Sequence, residues 1–394
     1  MNKRRDMRIQ WSSNAPFSKS GYGTFTRDIA LRLHKDGWPL SLIAWAGLAG
    51  GNITYEGIPC YPQMAHPFGS DALAYHGKHF QANVSFAMQD IQTLDPNDLS
   101  QVKTWIPYLP IDRDPIPQNV INNLRFAYKI ITFSQFGHDA LQRAGYASTL
   151  IPEGVDMSIF KPLDKMKTRK EANIPQDKFV VGMIGANKDA ISRKGWQEAL
   201  DAFKLFHDAH PESIFFYETN QPGGFDIQGY AAHLGLETVV VTPDIYMAIY
   251  HTDSDIINKY LNCFDVTLHP SSTEGFGLVI AESQSAGTPV IVNNTTSMPE
   301  LIIDGKTGEI AQAKHKVWLG GSYIHFADPQ SIYEKLEVIY RKIKENENKI
   351  STDCRNNVMN NYNIDTIFTT KWIPFLTDLQ DELLPPIDTS QKKS

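Results

Sequence analysis

The chain has 394 residues, too many for one ordinary α/β domain, and this length predicts two domains of roughly 150–200 residues each. Its 42% hydrophobic and 21% charged residues are typical of a globular protein and argue against a fibrous or disordered chain. The net charge of −7 gives no general attraction to nucleic-acid phosphates or to anionic lipids.

The N-terminal residues predict one strand–loop–helix unit. Residues 7–13 favour a strand, residues 14–23 a loop and residues 24–36 a helix. The apolar residues of that helix recur every four positions, which predicts one buried face. Gly37 provides the expected end of the helix.

The sequence predicts neither secretion nor a membrane span. No apolar run approaches the roughly 18–20 residues that span a bilayer, and polar residues soon interrupt the apolar stretch after the basic N-terminus. The cysteines, Cys60, Cys263 and Cys354, form neither a CxxC pair nor an even set, which favours reduced thiols. We therefore expect a cytoplasmic protein without stable membrane insertion.

The rest of the chain alternates strand-like apolar runs with amphipathic helices, the pattern of parallel α/β folds. Residues 152–178 interrupt this pattern with a polar, proline-containing segment that predicts a linker. Further strands are predicted at 40–45, 83–87, 129–133, 179–185, 214–219, 238–242, 265–269 and 289–292, and helices at 196–209, 329–346 and 365–380. We expect Rossmann-like domains in residues 1–160 and 175–360, and a frayed tail in the last dozen residues.

The strongest motif lies in residues 265–301, where a strand is followed by Glu274-Gly275-Phe276-Gly277 and a helix that carries Glu282. The glycines allow the backbone to approach a ligand, and the N–H groups at the helix start favour an anion such as a diphosphate. Glu282 should lie about two turns into the helix, so it cannot reach the group that Glu274 reaches. Two separated carboxylates suit the two sets of hydroxyls on a nucleoside diphosphate sugar. The alternative is a capped helix with one buried and one solvated glutamate.

These residues resemble the E-x7-E arrangement of retaining GT-B glycosyltransferases of family 4, and the similarity extends from Ser12 to about Gly308. The segment IPEGVDMSIFKP at 151–162 is similar to the crossover between that family's domains. The resemblance implies a GT-B fold: an acceptor domain and a nucleotide-sugar donor domain face a cleft, and a helix within 361–382 returns to the first domain.

The resemblance also implies roles for the motif residues. Glu274 would contact hydroxyls of the donor sugar as a catalytic residue, and Glu282 would bind the ribose. The backbone of Gly275, Phe276, Gly277 and Leu278 would lie against the sugar and the diphosphate.

A second candidate set is Asn187, Arg193 and Lys194, in the loop after the strand at 179–185. Family members carry an arginine and a lysine here that neutralise the diphosphate as it leaves, which serves a transferase that needs no metal. The sequence departs from the family pattern because Ala186-Asn187 occupies the usual place of the arginine. The alternative is a solvated basic helix start, although basic residues oppose the dipole at a helix N-terminus.

The loop between the first strand and helix contributes Gly21 and Gly23. Within the family this loop lies by the donor phosphate and the acceptor, so we expect both glycines at the binding site. A tight strand–helix turn would also require glycine.

Asp112 is a further candidate catalytic residue. Many family members carry at this position a histidine that contacts the transferred sugar. The sequence Pro110-Ile111-Asp112 instead resembles a subgroup with an aspartate there, which is found partly in phage genomes. Asp112 could bind a donor hydroxyl, orient the acceptor or cap a turn. The triplets Asp112–Asp114 and Asp253–Asp255 match the DxD metal motif, but such triplets are common by chance, and we expect neither a metal nor a cofactor.

The predicted activity is sugar transfer from a nucleoside diphosphate sugar with retention of configuration. The acceptor could be a glycan, a protein or a modified nucleobase. The sequence identifies neither the donor base, which is expected to contact backbone near 242–250, nor the oligomeric state. Alternatives are a nucleotide-sugar-binding module without transferase activity, a phosphorylase or an epimerase. The compartment would be the host cytoplasm if a phage encodes the chain.

Overall fold

The computed structural model describes residues 5–188, 192–219, 223–244 and 253–385. Two main sheets dominate the fold, and a separate two-stranded hairpin follows the second. The strands are β1 (Ile9–Asn14), β2 (Leu40–Ala46), β3 (Ile53–Tyr55), β4 (Ile58–Pro62), β5 (Val84–Met88), β6 (Trp105–Leu109), β7 (Ile131–Thr132), β8 (Thr149–Leu150), β9 (Phe179–Ile184), β10 (Ser213–Glu218), β11 (Val240–Val241), β12 (Val266–His269), β13 (Val290–Asn293), β14 (Gly308–Ala311), β15 (Ala313–Leu319) and β16 (Ser322–Ala327).

Helices connect most of these strands. They are α1 (Gly21–Lys35), α2 (Ser70–Phe80), α3 (Pro96–Leu99), α4 (Gln118–Leu124), α5 (Gln135–Arg143), α6 (Lys165–Glu171), α7 (Trp196–Ala209), α8 (Ile227–His233), α9 (Ser254–Cys263), α10 (Leu278–Ser285), α11 (Pro329–Asn361), α12 (Ile364–Ile367) and α13 (Ile373–Leu383). Among the residues that the structure describes, none of these helices is long and apolar enough to cross a membrane.

The two sheets have the strand orders of Rossmann-like domains. The first is β3-β4-β2-β1-β5-β6-β7-β8 and the second is β11-β10-β9-β12-β13-β14. All pairs are parallel except β3 with β4, and the residues of β9 and β10 are buried throughout. Continuous apolar runs such as FVVGMI suit strands that helices cover on both faces. The predicted α/β fold with two Rossmann-like domains is confirmed.

The end of the chain packs on the first sheet, as the family resemblance implied. The ring of Trp372 lies 5.7 Å from that of Trp11 and 5.3 Å from that of Tyr108, centroid to centroid. The side chain of Gln380 accepts a hydrogen bond from the backbone N–H of Met7 at 3.1 Å. These buried contacts attach α13 to the N-terminal domain.

Residues 152–178 are more ordered than the predicted linker. They contain α6, which Asp164 caps by accepting from the N–H of Lys167 at 3.0 Å. Arg169 pairs with Asp265 at 2.7 Å and donates to the carbonyl of Cys263 at 2.8 Å. The helix is short and polar, so its stability depends on these long-range partners, which local periodicity does not reveal.

Several predicted boundaries differ from the structure. Helix α1 begins at Gly21 rather than residue 24, because the Ser20 hydroxyl accepts from the N–H of Gly23 and caps the helix earlier. Helix α11 continues past residue 346 to Asn361, with a break at Asn346. The hairpin of β15 and β16 was not predicted. Most of the expected C-terminal tail lies outside the described residues.

Candidate functional site

A cleft of about 1150 Å³ separates the two domains at the carboxyl ends of both sheets. Ligands of open α/β sheets bind at this edge. Small-molecule sites usually measure roughly 300–1,000 Å³, so the cleft is large enough for a nucleotide-sized ligand together with a second molecule.

The cleft brings together residues from the two loops that follow β9 and β12. The ammonium of Lys194 donates a hydrogen bond to Oε1 of Glu274 at 2.5 Å, and Arg193 lies 3.5 Å from the same oxygen. Arg193 also donates to the carbonyl of Thr273 at 2.8 Å. Nε2 of His269, the last residue of β12, lies 3.1 Å from Oε1 of Glu274.

Charge and burial set the protonation of this cluster. Burial alone would raise the pKa of Glu274, but the charges of Lys194 and Arg193 outweigh burial and hold it well below its usual range. Burial lowers the pKa of His269, so its imidazole is neutral at physiological pH. Burial lowers the pKa of Lys194, and the charge of Glu274 opposes that effect. The cluster therefore pairs the Lys194 and Arg193 side chains with one carboxylate and one neutral imidazole.

Glycines fix the geometry of both loops. Gly195 has φ of +79°, and a Cβ there would lie 2.4 Å from the carbonyl oxygen of Pro270. The N–H of Ser272 donates to the carbonyl of Arg193 at 2.8 Å, which joins the two loops. A Cβ on Gly275 would lie 2.6–2.9 Å from atoms of Pro110, including backbone atoms, so only glycine allows this approach between the domains.

Helix α10 begins at Leu278, later than predicted, because Gly277 with φ of +104° precedes it in a left-handed conformation. Glu282 therefore lies little more than one turn into the helix rather than two. Gly277, Leu278 and Val279 line the cleft, so the first backbone N–H groups of α10 lie at its wall. The Ser297 hydroxyl donates to the carbonyls of Glu274 and Phe276, at 2.9 and 2.8 Å, and holds the preceding turn.

Glu282 lines the same cleft on the side of α1. It is 8% exposed, and burial raises its pKa to about 8, with a further increase from Asp28 and a decrease from Arg27. Both of those residues belong to α1, so the environment of Glu282 includes the N-terminal domain. At neutral pH much of this carboxyl group is protonated.

Two residues expected at the site do not line the cleft. The side chain of Asn187 forms hydrogen bonds with the backbone of Phe225, at 2.8 and 2.9 Å, and so fixes a neighbouring loop. Gly23 is buried in its own turn, where a Cβ would lie 2.3 Å from the carbonyl oxygen of Ser18. Gly21 does line the cleft, and an added Cβ would lie 3.5 Å from Cδ1 of Leu278 across it.

Asp112 faces the cleft, where Arg113 lies 3.7 Å from its carboxylate. Burial raises the pKa of Asp112, and nearby Asp90 raises it further. Asp114 points elsewhere and pairs with Arg143 at 2.8 Å, while Asp253 caps α9. Among the described residues no group of three or more His, Cys, Asp or Glu side chains could hold a metal ion, and neither DxD triplet forms one.

The sequence did not identify five further residues of the cleft: Tyr22, Asp90, Glu153, His269 and Glu218. Glu153 is 4% exposed, and burial together with Glu282 and Glu274 raises its pKa well above the usual range. His269 and Glu218 are the last residues of β12 and β10, so a search of strand ends would have found them. Part of the expected base-contact segment, 242–250, lies outside the described residues.

Residues 164–318 match the family model described as glycosyl transferases group 1. The chain is 27% identical over 190 residues to the D-inositol 3-phosphate glycosyltransferase of Acidothermus cellulolyticus, a match that covers 46% of this chain and 40% of that protein. It is 28% identical over 182 residues to an uncharacterized 41.2 kDa protein in the cps region of Klebsiella pneumoniae, covering 45% of this chain and 46% of that protein. The chain thus spans less than half the length of these curated relatives.

The similarity to solved structures extends over nearly the whole chain. Sucrose-phosphate synthase from Thermosynechococcus elongatus has a TM-score of 0.77 at 15% identity, covering 95% of this chain and 99% of that one. Anabaena HepE in complex with UDP and glucose has a TM-score of 0.73 at 18% identity, covering 94% and 100%. At such identities the likeness establishes the two-domain GT-B fold alone.

Proposed function

We propose that this chain transfers a sugar from a nucleoside diphosphate sugar to an acceptor hydroxyl with retention of anomeric configuration. Its fold and the match of residues 164–318 to the glycosyl transferases group 1 model support a GT-B glycosyltransferase. The observation that carries the proposal is the pairing of Lys194 and Arg193 with Glu274 beside the start of α10. HepE, which shares the fold, was solved with UDP and glucose, and this supports a nucleoside diphosphate sugar as the donor.

The two cations suit a diphosphate leaving group. The Lys194 side chain is 15% exposed and has three N–H donors, one of which it donates to Glu274. The diphosphate would take further hydrogen bonds from Lys194, from Arg193 and from the N–H groups at the start of α10. These donors are positioned before the reaction, so they can stabilise the charge that develops as the sugar–phosphate bond breaks.

The two glutamates would bind different parts of the donor. Glu274 is ionised and would accept hydrogen bonds from hydroxyls of the transferred sugar. Glu282, one turn along α10, would bind the ribose, whose hydroxyls can donate to or accept from a carboxyl group in either protonation state. Phe276 and Gly277 lie between these two positions and would contact the diphosphate with their backbone.

In the proposed reaction the acceptor hydroxyl attacks the anomeric carbon from the face that the diphosphate leaves. The departing phosphate oxygen takes the proton of that hydroxyl, so no protein nucleophile is needed. The protein would contribute orientation, charge neutralisation and exclusion of water from the cleft. Asp112, on the N-terminal wall, is the residue that we assign to orienting the acceptor or a donor hydroxyl.

A panel of nucleotides and nucleotide sugars in thermal-shift measurements tests the donor site, because a ligand that binds only the folded protein raises its apparent stability. The donor so identified is then incubated with candidate acceptor glycans, proteins and nucleobases, and the anomeric configuration of the product is determined by NMR. Binding without transfer or hydrolysis would indicate a binding module. A requirement for inorganic phosphate, or product without acceptor, would indicate a phosphorylase or an epimerase.

A further inference from the structure

Glu218 is the last residue of β10 and lines the cleft with a carboxyl group that the proposed mechanism does not use. The residue is 4% exposed, and its Oε1 has no hydrogen-bond partner among the described residues. A buried carboxyl oxygen without a partner is costly, and such a group at a ligand cleft indicates a partner supplied by the ligand.

The strand order locates Glu218 relative to the other cleft residues. The neighbours in the second sheet run β10, β9, β12. Glu274 follows β12, and Arg193 and Lys194 follow β9, while Glu218 ends β10 and pairs in register with Ile184 of β9. Glu282, the proposed ribose site, lies near Arg27, which donates to Ser254 at the start of α9 at 3.5 Å, and Glu218 lies near Tyr260 of the same helix. A donor with its sugar at Glu274, its diphosphate at Lys194 and its ribose at Glu282 would therefore place its base toward α9, near Glu218.

We propose that Glu218 reads the nucleobase of the donor and selects guanine. This inference rests on the proposed function, because it takes the positions of the sugar and the diphosphate from it. An ionised carboxylate repels phosphate groups and favours a pair of adjacent N–H donors, which it can accept in a bidentate arrangement. Among the common nucleobases guanine presents such a pair, N1–H and N2–H, whereas uracil flanks its single N–H with two carbonyl acceptors.

The surroundings of Glu218 are compatible with ionisation on binding. Burial raises the pKa of Glu218 to about 7, and the charge of Lys19, from the loop before α1, lowers it. Tyr260 of α9 also lies near enough for the Glu218 charge to raise the pKa of its phenol, after burial. Two N–H groups of guanine would stabilise the carboxylate further.

The test is calorimetric titration of the full chain with GDP, UDP and ADP, repeated with Glu218→Gln. We expect the wild type to bind GDP at least about 10-fold more tightly than UDP or ADP, because uracil and adenine cannot make the charge-assisted hydrogen bonds that guanine would make to Glu218. In Glu218→Gln the GDP affinity should fall by about 10-fold or more, while the affinities for UDP and ADP change by less than about 3-fold. The preference for GDP should therefore disappear.

Glu198→Gln is a matched control, because Glu198 also has a buried carboxyl oxygen without a partner among the described residues but does not line the cleft. It should leave all three affinities unchanged. Tighter binding of UDP or ADP than of GDP by the wild type, or an equal loss for all three in Glu218→Gln, would overturn the assignment of the base while leaving the proposed function intact. Failure of all three to bind would overturn both. The wild-type ranking needs no variant, so it decides the question even if Glu218→Gln does not fold.

Discussion

The ammonium of Lys194 lies 2.5 Å from Oε1 of Glu274, a pair that joins the loops after β9 and β12 across 80 residues of sequence. The pair puts a cation and an anion in contact inside the cleft, so each residue sets the position and the charge of the other. A change at Lys194 therefore affects Glu274 as well, and the variants of the two residues should not be additive.

Lys194→Ala and Arg193→Ala test the role of the cations. If these side chains stabilise the departing diphosphate, kcat should fall by about 10²-fold or more, whereas the affinity for the donor should change by about 10-fold or less. Steady-state kinetics give kcat, and calorimetry gives the donor affinity. The matched control is Lys204→Ala, which removes an exposed lysine paired with Asp208 on α7. A loss confined to KM would show that the cations bind the ground state and transition state equally.

Activity should not require a divalent metal, because Lys194 and Arg193 already supply positive charge where the diphosphate is proposed to bind. We expect the same rate in EDTA as in buffer with added magnesium or manganese, measured by release of the nucleoside diphosphate. Loss of activity in EDTA that manganese restores would contradict this prediction and would support Asp112 and Asp114 as a DxD metal site.

Local sequence was enough to predict the part of the site that is continuous in the chain. The strand, the two glycines and the helix start that carry Glu274 and Glu282 lie within 265–301, so hydrophobic pattern and glycine placement predicted them. The exact start of α10 depends on the left-handed conformation of Gly277. The sequence could not predict this start, because glycine adopts left- and right-handed conformations about equally readily.

The remaining cleft residues come together only in three dimensions. Glu153 lies in a segment that resembled a linker, and its electrostatic interactions with Glu282 and Glu274 depend on how the domains face each other. Asn187 is a converse case, because its sequence position suggested ligand binding whereas its side-chain amide forms hydrogen bonds with the backbone of Phe225 in the structure. Competition between a ligand and a protein partner for one polar group is not visible in a linear sequence.

Glu282→Gln should stabilise the chain at alkaline pH in the absence of nucleotide. Burial raises the pKa of Glu282 from 4.5 to about 8 in the folded chain. Between these two values the folded chain holds a proton that the unfolded chain releases, so the contribution of Glu282 to stability falls as pH rises and levels off above about pH 8. Glutamine does not titrate, so the variant should be more stable than the wild type at pH 9 by on the order of a few kcal/mol, and similar to it at pH 5.

Denaturant unfolding at a series of pH values measures this difference. Glu198→Gln provides a comparison, since burial raises the pKa of Glu198 as well, although Glu198 lies outside the cleft. Parallel stability curves for Glu282→Gln and the wild type between pH 5 and 9 would show that the Glu282 carboxyl group is not destabilised by its surroundings.

The two glutamates should separate in kinetics and binding. Glu282 is proposed to hold the ribose, which the reaction leaves unchanged. Glu282→Gln should therefore lower the affinities for the free nucleoside diphosphate and for the full donor by similar factors and raise KM.

Glu274 is proposed to hold the transferred sugar, whose ring gains positive charge as the bond breaks. Glu274→Gln should therefore lower kcat by about 10²-fold or more while the affinity for the nucleoside diphosphate stays within about 3-fold of the wild type. Glu274 also neutralises Lys194, so its loss leaves that ammonium free to bind the diphosphate more strongly, and this opposes any fall in nucleotide affinity. Calorimetry with the nucleoside diphosphate on both variants decides between the roles: a loss of nucleotide affinity in Glu274→Gln together with retention in Glu282→Gln would show that the two assignments are reversed.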